Sequence, residues 1–440
     1  MKKRNSVDNR VDFETRFPTA DETMKTWLAD GAERRRLSRR RFMRRAAVGL
    51  GLVGLIETVR RVEADTRSRA AVGQRESIKI TKIETFVLKN SWVFVKISTN
   101  VGLVGWGEML KDRSTTCVAG VKQVEPYLLG KDPRRVVHHW QAIYRHAFYR
   151  GGPVLTAVLS GIDQALWDIK GKALGLPVYE LLGGPTRDRI HIYGSEGDAR
   201  KGLVNAFKTA PYADNRQAYR YVESPGYIQR AAKRFGTLRE ELGPEINIGI
   251  DFHGAVQPQT ALLLVKAIEP FQPFFFEEVI QCQNVDMMAE IARKTHIPLA
   301  TGERVFTKWG FREVLEKKAA SILQPDVCYA GGITELRLIA GMAESYYVPI
   351  APHNPQGPCS LAASLQIAAA IPNFLIQENG ARSYADLLKV PFQQKDSYLP
   401  LPTTPGLGIE IDEDKLLAQV GEPSGYPESY DFGDGSVVDW

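Results

Sequence analysis

INIGIDFHG, at residues 246–254, decides the fold of this chain. Its first six residues alternate β-branched with small or polar side chains, which is typical of a short buried strand. The strand ends in Asp251, and His253 follows two residues later on the same face of an extended segment. Two later apolar runs end in the same way, at Glu277 and Glu303. Acidic residues that close several buried strands indicate a site built on the strand ends.

The ionisable residues that end these strands recur at a nearly constant step. They are Asp251, Glu277, Glu303, Asp326, His353 and Glu378, separated by 26, 26, 23, 27 and 25 residues. Each step is the length of one strand with its helix and loops. In a barrel of parallel strands such residues converge at the carboxyl-terminal mouth, where the active sites of barrels lie. The step therefore predicts a barrel and a shared site.

Short apolar segments with strand character are spaced along residues 188–381, and the stretches between them have helical patterns. The candidate strands are 190–194, 205–208, 246–251, 273–277, 298–302, 320–324, 347–351 and 374–378. This alternation predicts an α/β barrel of buried parallel strands. Only 14 residues separate Tyr193 from Lys208, too few for an ordinary crossover helix with its loops, so the first β/α unit is expected to be truncated.

Residues 78–187 have a different pattern. Alternating apolar residues up to Gly107 predict antiparallel strands, and a long helical stretch with Gly and Pro breaks follows. We expect an α+β domain here. The segment 382–440 is rich in proline and irregular, and we expect it to return to that first domain.

Asp251, Glu277 and Glu303 on neighbouring strands offer only oxygen ligands. Such a set suits a hard divalent cation and leaves positions for water and substrate. We therefore predict a Mg²⁺ site. His353 follows the strand at 347–351, and Asp326 at the end of the preceding strand can fix its tautomer, so the pair is a candidate general base.

A second imidazole, that of His253, can serve as a general acid on the same site. A cation, a base and an acid together suit the removal of a proton next to a carboxylate, followed by loss of a hydroxyl group. The sequence thus favours an enzyme that acts on a hydroxy acid.

Ten motifs spread over residues 78–412 resemble the enolase superfamily, mandelate racemase/muconate lactonizing enzyme group, and among its members most resemble the D-galactonate dehydratases. They are WGE at 106–108, HAFYRGGP at 146–153, GIDQALWDIKGK at 161–172, DFHG at 251–254, FEE at 276–278, GER at 302–304, ILQPD at 322–326, AGGITE at 330–335, APH at 351–353 and PGLG at 405–408. The resemblance implies a modified (β/α)7β TIM-like barrel with an α+β capping domain.

The resemblance also implies roles for the strand-end residues. Asp251, Glu277 and Glu303 would bind Mg²⁺, and His353, oriented by Asp326, would take the proton α to the carboxylate. His253 would protonate the departing hydroxyl, and Glu378 would contact the substrate or the developing enolate. Lys208 is the match to the lysine of the second strand, with Arg220 as its rival. Val279 stands where the family usually has proline, a mild departure.

The activity implied is β-elimination of water from a sugar acid to a 2-keto-3-deoxy product, with D-galactonate as the first candidate. A racemase, an epimerase or another dehydratase of the same superfamily is one alternative, and a sugar-acid-binding protein without turnover is another. The shortened first unit and the identity of Lys208 bear on the substrate, because members vary this strand to set specificity. We expect a homo-oligomer.

The net charge of +6 belongs to the leader. Residues 1–76 carry 19 Lys or Arg against 11 Asp or Glu, and the rest carries 38 against 40, which gives no reason to expect a nucleic-acid partner. Residues 1–64 resemble a twin-arginine export signal, with Arg39-Arg40 before the apolar run 46–56. That run is too short to cross a bilayer. We expect a periplasmic protein without stable membrane insertion, or a cytoplasmic one if the leader does not function.

Overall fold

The computed structural model describes residues 76–212, 223–379 and 382–423. The predicted leader at 1–64 and Arg220 lie outside the described residues, so export stays a prediction. In the described part of the chain, no helix combines the length and apolar character needed to cross a membrane.

The N-terminal part is an antiparallel sheet packed on helices. Its strands are β1 Ile80–Val87, β2 Val93–Thr99 and β3 Val104–Met109, and its helices are α1 Ser114–Leu128, α2 Val136–His146, α3 Gly152–Leu174 and α4 Val178–Leu181. The contact between β3 and α3 depends on small residues. A Cβ at Gly105 or Gly107 would overlap the carbonyl oxygens of Ala165 and Gly161 on α3. The glycines of GWG therefore let the sheet approach the helix backbone closely.

The following strands form a parallel ring. They are β4 Arg189–Tyr193, β5 Ala206–Thr209, β6 Asn247–Asp251, β7 Phe275–Glu277, β8 Leu299–Thr301, β9 Ile322–Leu323 and β10 Gln377–Glu378. Strands β5 to β9 pair in order, and β10 pairs parallel with β4. Ile350 bridges both Leu323 and Phe374, and Gly194 bridges Phe207. These bridges close the ring, and the predicted barrel is confirmed.

Helices follow the strands around the outside of the ring. They are α5 Glu196–Arg200, α6 Pro225–Leu242, α7 Pro258–Ile268, α8 Val285–Ala292, α9 Thr307–Glu316, α10 Gly332–Glu344 and α11 Pro358–Ala370. Short 3-10 turns cover Lys111–Arg113 and Glu269–Phe271. The first unit carries only the five residues of α5, so the predicted truncation is confirmed.

The C-terminal segment contains β11 Tyr398–Pro400 and α12 Glu413–Gln419. Val420 bridges Leu88 at the end of β1, a contact with the capping domain of the kind expected for this segment. Strand β11 also pairs antiparallel with β4, so the segment touches the barrel as well. The predicted domain limits at 187 and 381 stay predictions.

An apolar layer fills the barrel below its mouth. Its members come from different strands: Tyr193, Ala206, Phe275, Ala300, Ile322, Ala351 and Ile376. Several of them lie two residues before a polar strand-end residue, as Phe275 does before Glu277. Because side chains alternate along a strand, both then point into the barrel. The apolar layer therefore lies directly below the polar residues at the mouth of the barrel.

Candidate active site

The polar residues predicted from the strand ends lie together at the mouth of the barrel. Asp251, Glu277 and Glu378 are the last residues of β6, β7 and β10, and Lys208 lies inside β5. Glu303 follows the end of β8 by two residues. Parallel strands bring their carboxyl ends to one rim, and this explains why residues far apart in the chain meet.

Lys208 lies among three carboxylates. Its ammonium nitrogen is 3.0 Å from oxygens of both Asp251 and Glu277 and 3.5 Å from Glu378. Burial would lower the pKa of Lys208, but the carboxylates outweigh it and raise the pKa well above its usual value. In turn, Lys208 lowers the pKa of Glu378 to about 2 against the effect of burial. Lys208 is a fixed positive charge in the site.

His353 and Asp326 form a buried pair. Asp326 Oδ2 lies 2.8 Å from His353 Nδ1, and Asp326 Oδ1 accepts a hydrogen bond from the backbone N–H of Cys328 at 2.7 Å. A carboxylate at Nδ1 favours the tautomer with its proton there, which leaves the lone pair of the neutral imidazole on Nε2. His353 Nε2 lies 3.1 Å from Glu303 Oε2.

The other imidazole, His253, is more exposed. Its side chain is 36% exposed against 10% for His353, and its Nε2 lies 3.0 Å from Asp251 Oδ2. The backbone at His253 has φ of +49°, and the following Gly254 has φ of +65°. A left-handed turn therefore directs the histidine back toward Asp251, whose Oδ1 also accepts the His253 backbone N–H at 2.9 Å.

An ion pair between Arg304 and Glu278 lies next to this turn. The guanidinium of Arg304 lies 2.6 Å from Glu278 Oε2, and Glu278 is fully buried. A Cβ on Gly254 would overlap the guanidinium of Arg304, and the φ of +65° at this position favours glycine as well. The FEE, GER and DFHG motifs thus meet in one place.

The residues present fit a cation. Asp251, His253 and Glu303 bring ligand atoms within 4.8 Å of one another. Asp251 Oδ2 and Glu303 Oε2 are buried, with Lys208 and His253 each 3.0 Å from the first and His353 3.1 Å from the second. Buried carboxylate oxygens are costly unless positive charge balances them, and a cation among these oxygens would add to that balance.

Glu277, predicted as a ligand, has protein partners instead. Its Oε1 accepts from Lys208 at 3.0 Å, and its Oε2 accepts from Gln324 Nε2 at 2.7 Å. Burial raises the pKa of Glu277 to about 8, and the charge of Asp251 adds to that effect. Lys208 offsets part of this repulsion between Glu277 and Asp251, because it lowers the pKa of Glu277.

Some functional partners were missed at the sequence level. Gln324 bonds Glu277, and the hydroxyl of Tyr329 lies 3.0 Å from His353 Nδ1. The backbone N–H of Asn354 donates to Glu378 Oε2 at 2.7 Å. Gln324 and Tyr329 flank Asp326 in the ILQPD region, so proximity to that residue was the available signal.

Two family profiles match the chain. The description "Mandelate racemase / muconate lactonizing enzyme, N-terminal domain" matches residues 69–183, and "Enolase C-terminal domain-like" matches residues 198–415. The chain belongs to the enolase superfamily. The family predicted from the motifs is confirmed, with the α+β capping domain followed by the barrel.

Similar members of the enolase superfamily include D-galactonate dehydratases from Ralstonia nicotianae and Ralstonia pickettii. They are 41% and 40% identical over 382 residues, which is 82% of this chain and 100% of each relative. A solved enolase from Agrobacterium radiobacter, provisionally assigned as a galactarate dehydratase, contains Na and L-malate. It is 30% identical with a TM-score of 0.76, over 82% of this chain and 99% of its own.

A further solved superfamily member, from Salmonella Typhimurium, is 30% identical with a TM-score of 0.73 over 78% of this chain and 98% of its own. The relatives establish the class of enzyme. This superfamily member is a hydro-lyase similar to the galactonate dehydratases.

Proposed function

We propose that this enzyme is a Mg²⁺-dependent sugar-acid dehydratase with D-galactonate as its first candidate substrate. The observation that carries the proposal is the pair of imidazoles on the carboxylate cluster. His253 contacts Asp251 at 3.0 Å, and His353 contacts Glu303 at 3.1 Å. Elimination of water needs one group to take a proton and another to give one, and two imidazoles beside one cluster can divide these tasks.

The proposed ligands of the cation are Asp251, Glu277 and Glu303. Asp251 and Glu303 each offer a buried oxygen, and these oxygens lie 3.0 Å from His253 and 3.1 Å from His353. Glu277 would make the set entirely oxygen, which Mg²⁺ prefers. A bound divalent ion stabilises the negative charge that develops on the substrate carboxylate as the α proton leaves.

His353 is the proposed base, and its Nε2 takes the α proton. Burial would lower the pKa of His353, but Glu303 and Glu378 outweigh burial and raise it to about 10. A cation held by Glu303 would balance that charge and weaken the raising effect, which would leave the imidazole of His353 neutral as a base. Asp326 keeps the proton of Nδ1 in place during the transfer.

His253 is the proposed acid, and it donates a proton to the hydroxyl that leaves the β carbon. The C–O bond breaks as the electrons of the former C–H bond form a C=C bond, and the released group is water. The resulting enol becomes a 2-keto-3-deoxy acid. Lys208 and Glu378 are proposed to contact the substrate carboxylate and the developing enolate.

The two Ralstonia relatives favour D-galactonate as the substrate, because both are D-galactonate dehydratases and the match to this chain covers their full lengths. The Agrobacterium structure, with its bound Na and L-malate, supports a small hydroxy acid as ligand. The test is an assay of 2-keto acid formation from a panel of aldonic and aldaric acids with Mg²⁺. We expect product from D-galactonate, loss of activity with EDTA and recovery with added Mg²⁺.

A matched variant is Glu303→Gln, which keeps the size of the side chain but removes a charge from the proposed ligand set. It should stay inactive at any Mg²⁺ concentration. If no sugar acid of the panel yields a keto acid, the proposal is refuted. Exchange of the α proton in D₂O without dehydration would instead indicate a racemase or epimerase, and ligand binding without either reaction a binding protein.

A further inference from the structure

A buried carboxylate outside the site contacts the segment that follows His353. Glu108, on β3 of the capping sheet, is fully buried. Its Oε1 accepts the backbone N–H of Gly357 at 2.5 Å, and its Oε2 accepts that of Ser360 at 3.0 Å. These N–H groups open α11, whose N-cap Gly357 comes four residues after His353. A carboxylate at this position satisfies donors that the helix itself leaves free.

A buried amide joins Glu108 to the other half of the dyad. Gln164, on α3, accepts the Glu108 backbone N–H at 3.1 Å and donates to the Glu108 carbonyl at 3.0 Å. Its Nε2 also donates to the carbonyl of Val327 at 3.1 Å, and Val327 directly follows Asp326. The carbonyl oxygen and the NH₂ of the Gln164 amide are therefore both hydrogen-bonded, and the residue is fully buried.

The capping domain thus contacts the loops of both dyad members. Asp326 and His353 are bridged in parallel, and their side chains meet at 2.8 Å. A shift of either loop would move Nε2 away from the substrate, and a misplacement of about 1 Å can cost about 100-fold in rate. Hydrogen bonds in a buried, low-dielectric setting resist such shifts more strongly than exposed ones do.

We propose that Glu108 and Gln164 are positioning residues that fix His353 against Asp326 from the capping domain. The proposal rests on the proposed role of His353 as the base. Neither residue touches the carboxylate cluster through a hydrogen bond of the described chain, so their effect acts through the dyad.

The test is Glu108→Gln in the full-length enzyme. The amide keeps the shape, but its NH₂ faces a backbone N–H that needs an acceptor. We expect kcat to fall about 10- to 100-fold with KM unchanged within about two-fold. The kinetic isotope effect with α-deuterated substrate should rise, because proton removal becomes slower relative to other steps. A purely structural residue would not change the isotope effect.

The matched control is Asp163→Asn on α3, the helix that carries Gln164. Asp163 is as buried as Glu108 and also accepts two hydrogen bonds, from the N–H and the hydroxyl of Thr334, at 3.0 and 2.5 Å. Thr334 belongs to α10 and comes eight residues after Asp326 in the chain, whereas Gln164 bonds Val327 directly after Asp326. Both variants should lower Tm, but only Glu108→Gln should change the isotope effect. Equal isotope effects in the two variants would overturn the proposal.

A spectroscopic readout separates this proposal from the proposed function. In ¹⁵N-histidine-labelled enzyme, the His353 resonances, assigned with His353→Asn, report its tautomer without substrate. Glu108→Gln should shift or broaden them and Asp163→Asn should not, even if no sugar acid is a substrate. Unchanged His353 resonances in Glu108→Gln would overturn the proposal. If Glu108→Gln does not fold, Gln164→Met, which removes the bond to Val327, gives the same comparison.

Discussion

The two imidazoles of the site lie in opposite kinds of surroundings. His353 is buried, paired with Asp326 at 2.8 Å, and its loop is bonded to the capping domain. His253 lies on a left-handed turn with 36% of its side chain exposed. It is also nearer in sequence to the first β/α unit, whose helix is only α5. The difference teaches that the group proposed to remove the proton is preorganised, whereas the group proposed to give one has room to adapt.

The largest expected effect comes from His353→Asn. Removal of a general base costs 10²- to 10⁴-fold, and we expect kcat to fall about 10³-fold with loss of α-proton exchange in D₂O. Mass spectrometry of recovered substrate measures that exchange. The matched control is His191→Asn on β4, a histidine that bonds Asn205 at 2.7 Å. A control that loses as much activity would contradict the assignment.

A smaller and different effect is expected from His253→Asn. Loss of the acid should slow dehydration about 100-fold, because departure of the hydroxyl lacks its proton. The α proton should still exchange with D₂O, since His353 and Asp326 remain intact. Parallel measurement of exchange and of keto-acid formation tests this. Equal loss of both reactions would mean that the two imidazoles act on the same step.

The next prediction concerns stability and pH in the metal-free enzyme. Glu303 and Glu378 overcome the effect of burial and raise the pKa of His353 from its ordinary 6.5 to about 10. The folded state then binds a proton more tightly than the unfolded state. The stabilisation is complete below about pH 6.5 and is lost as the pH rises toward 10.

Thermal unfolding in EDTA across that range measures the effect. We expect the Tm of the wild type to fall between pH 6.5 and 10 by more than that of His353→Asn, because the variant lacks the titrating group. Parallel pH profiles for the two proteins would show that the imidazole is not the source of the pH dependence.

The smallest effect is expected in the first unit. Ser195 caps α5 by accepting the Asp198 N–H, and the Asp198 side chain accepts the Ser195 N–H in return. Ser195→Ala should cost about 1 kcal/mol of unfolding free energy and leave kcat within about two-fold. Ser224→Ala, which removes the cap of α6, is the control for a full-length unit. A large loss of kcat in Ser195→Ala alone would show that α5 sets the position of site residues.

Much of the site could be predicted because a barrel converts sequence spacing into spatial proximity. Residues such as Glu277 and His353 end parallel strands, so their meeting follows from topology once the strand pattern is read. The truncated first unit could be predicted from the short segment between Tyr193 and Lys208 alone. Arg220 lies outside the described residues, so its rivalry with Lys208 stays open.

Contacts that depend on side-chain direction could not be predicted in the same way. The Lys208 ammonium between Asp251 and Glu277, and the support of the dyad by Glu108 and Gln164, join residues without a fixed spacing. The Lys208 contacts depend on how its side chain reaches across neighbouring barrel strands, and those of Glu108 and Gln164 depend on the packing of the capping domain on the barrel. No local pattern encodes either arrangement.

The amino-acid sequence by itself determined the barrel, its shortened first unit and the set of residues at its mouth, because strand periodicity and step length are local properties of the chain. Only the tertiary structure decided how exposed each imidazole is and which partners orient it. Burial and hydrogen-bond geometry depend on segments distant in sequence, and they set the charge and position of each group in the site.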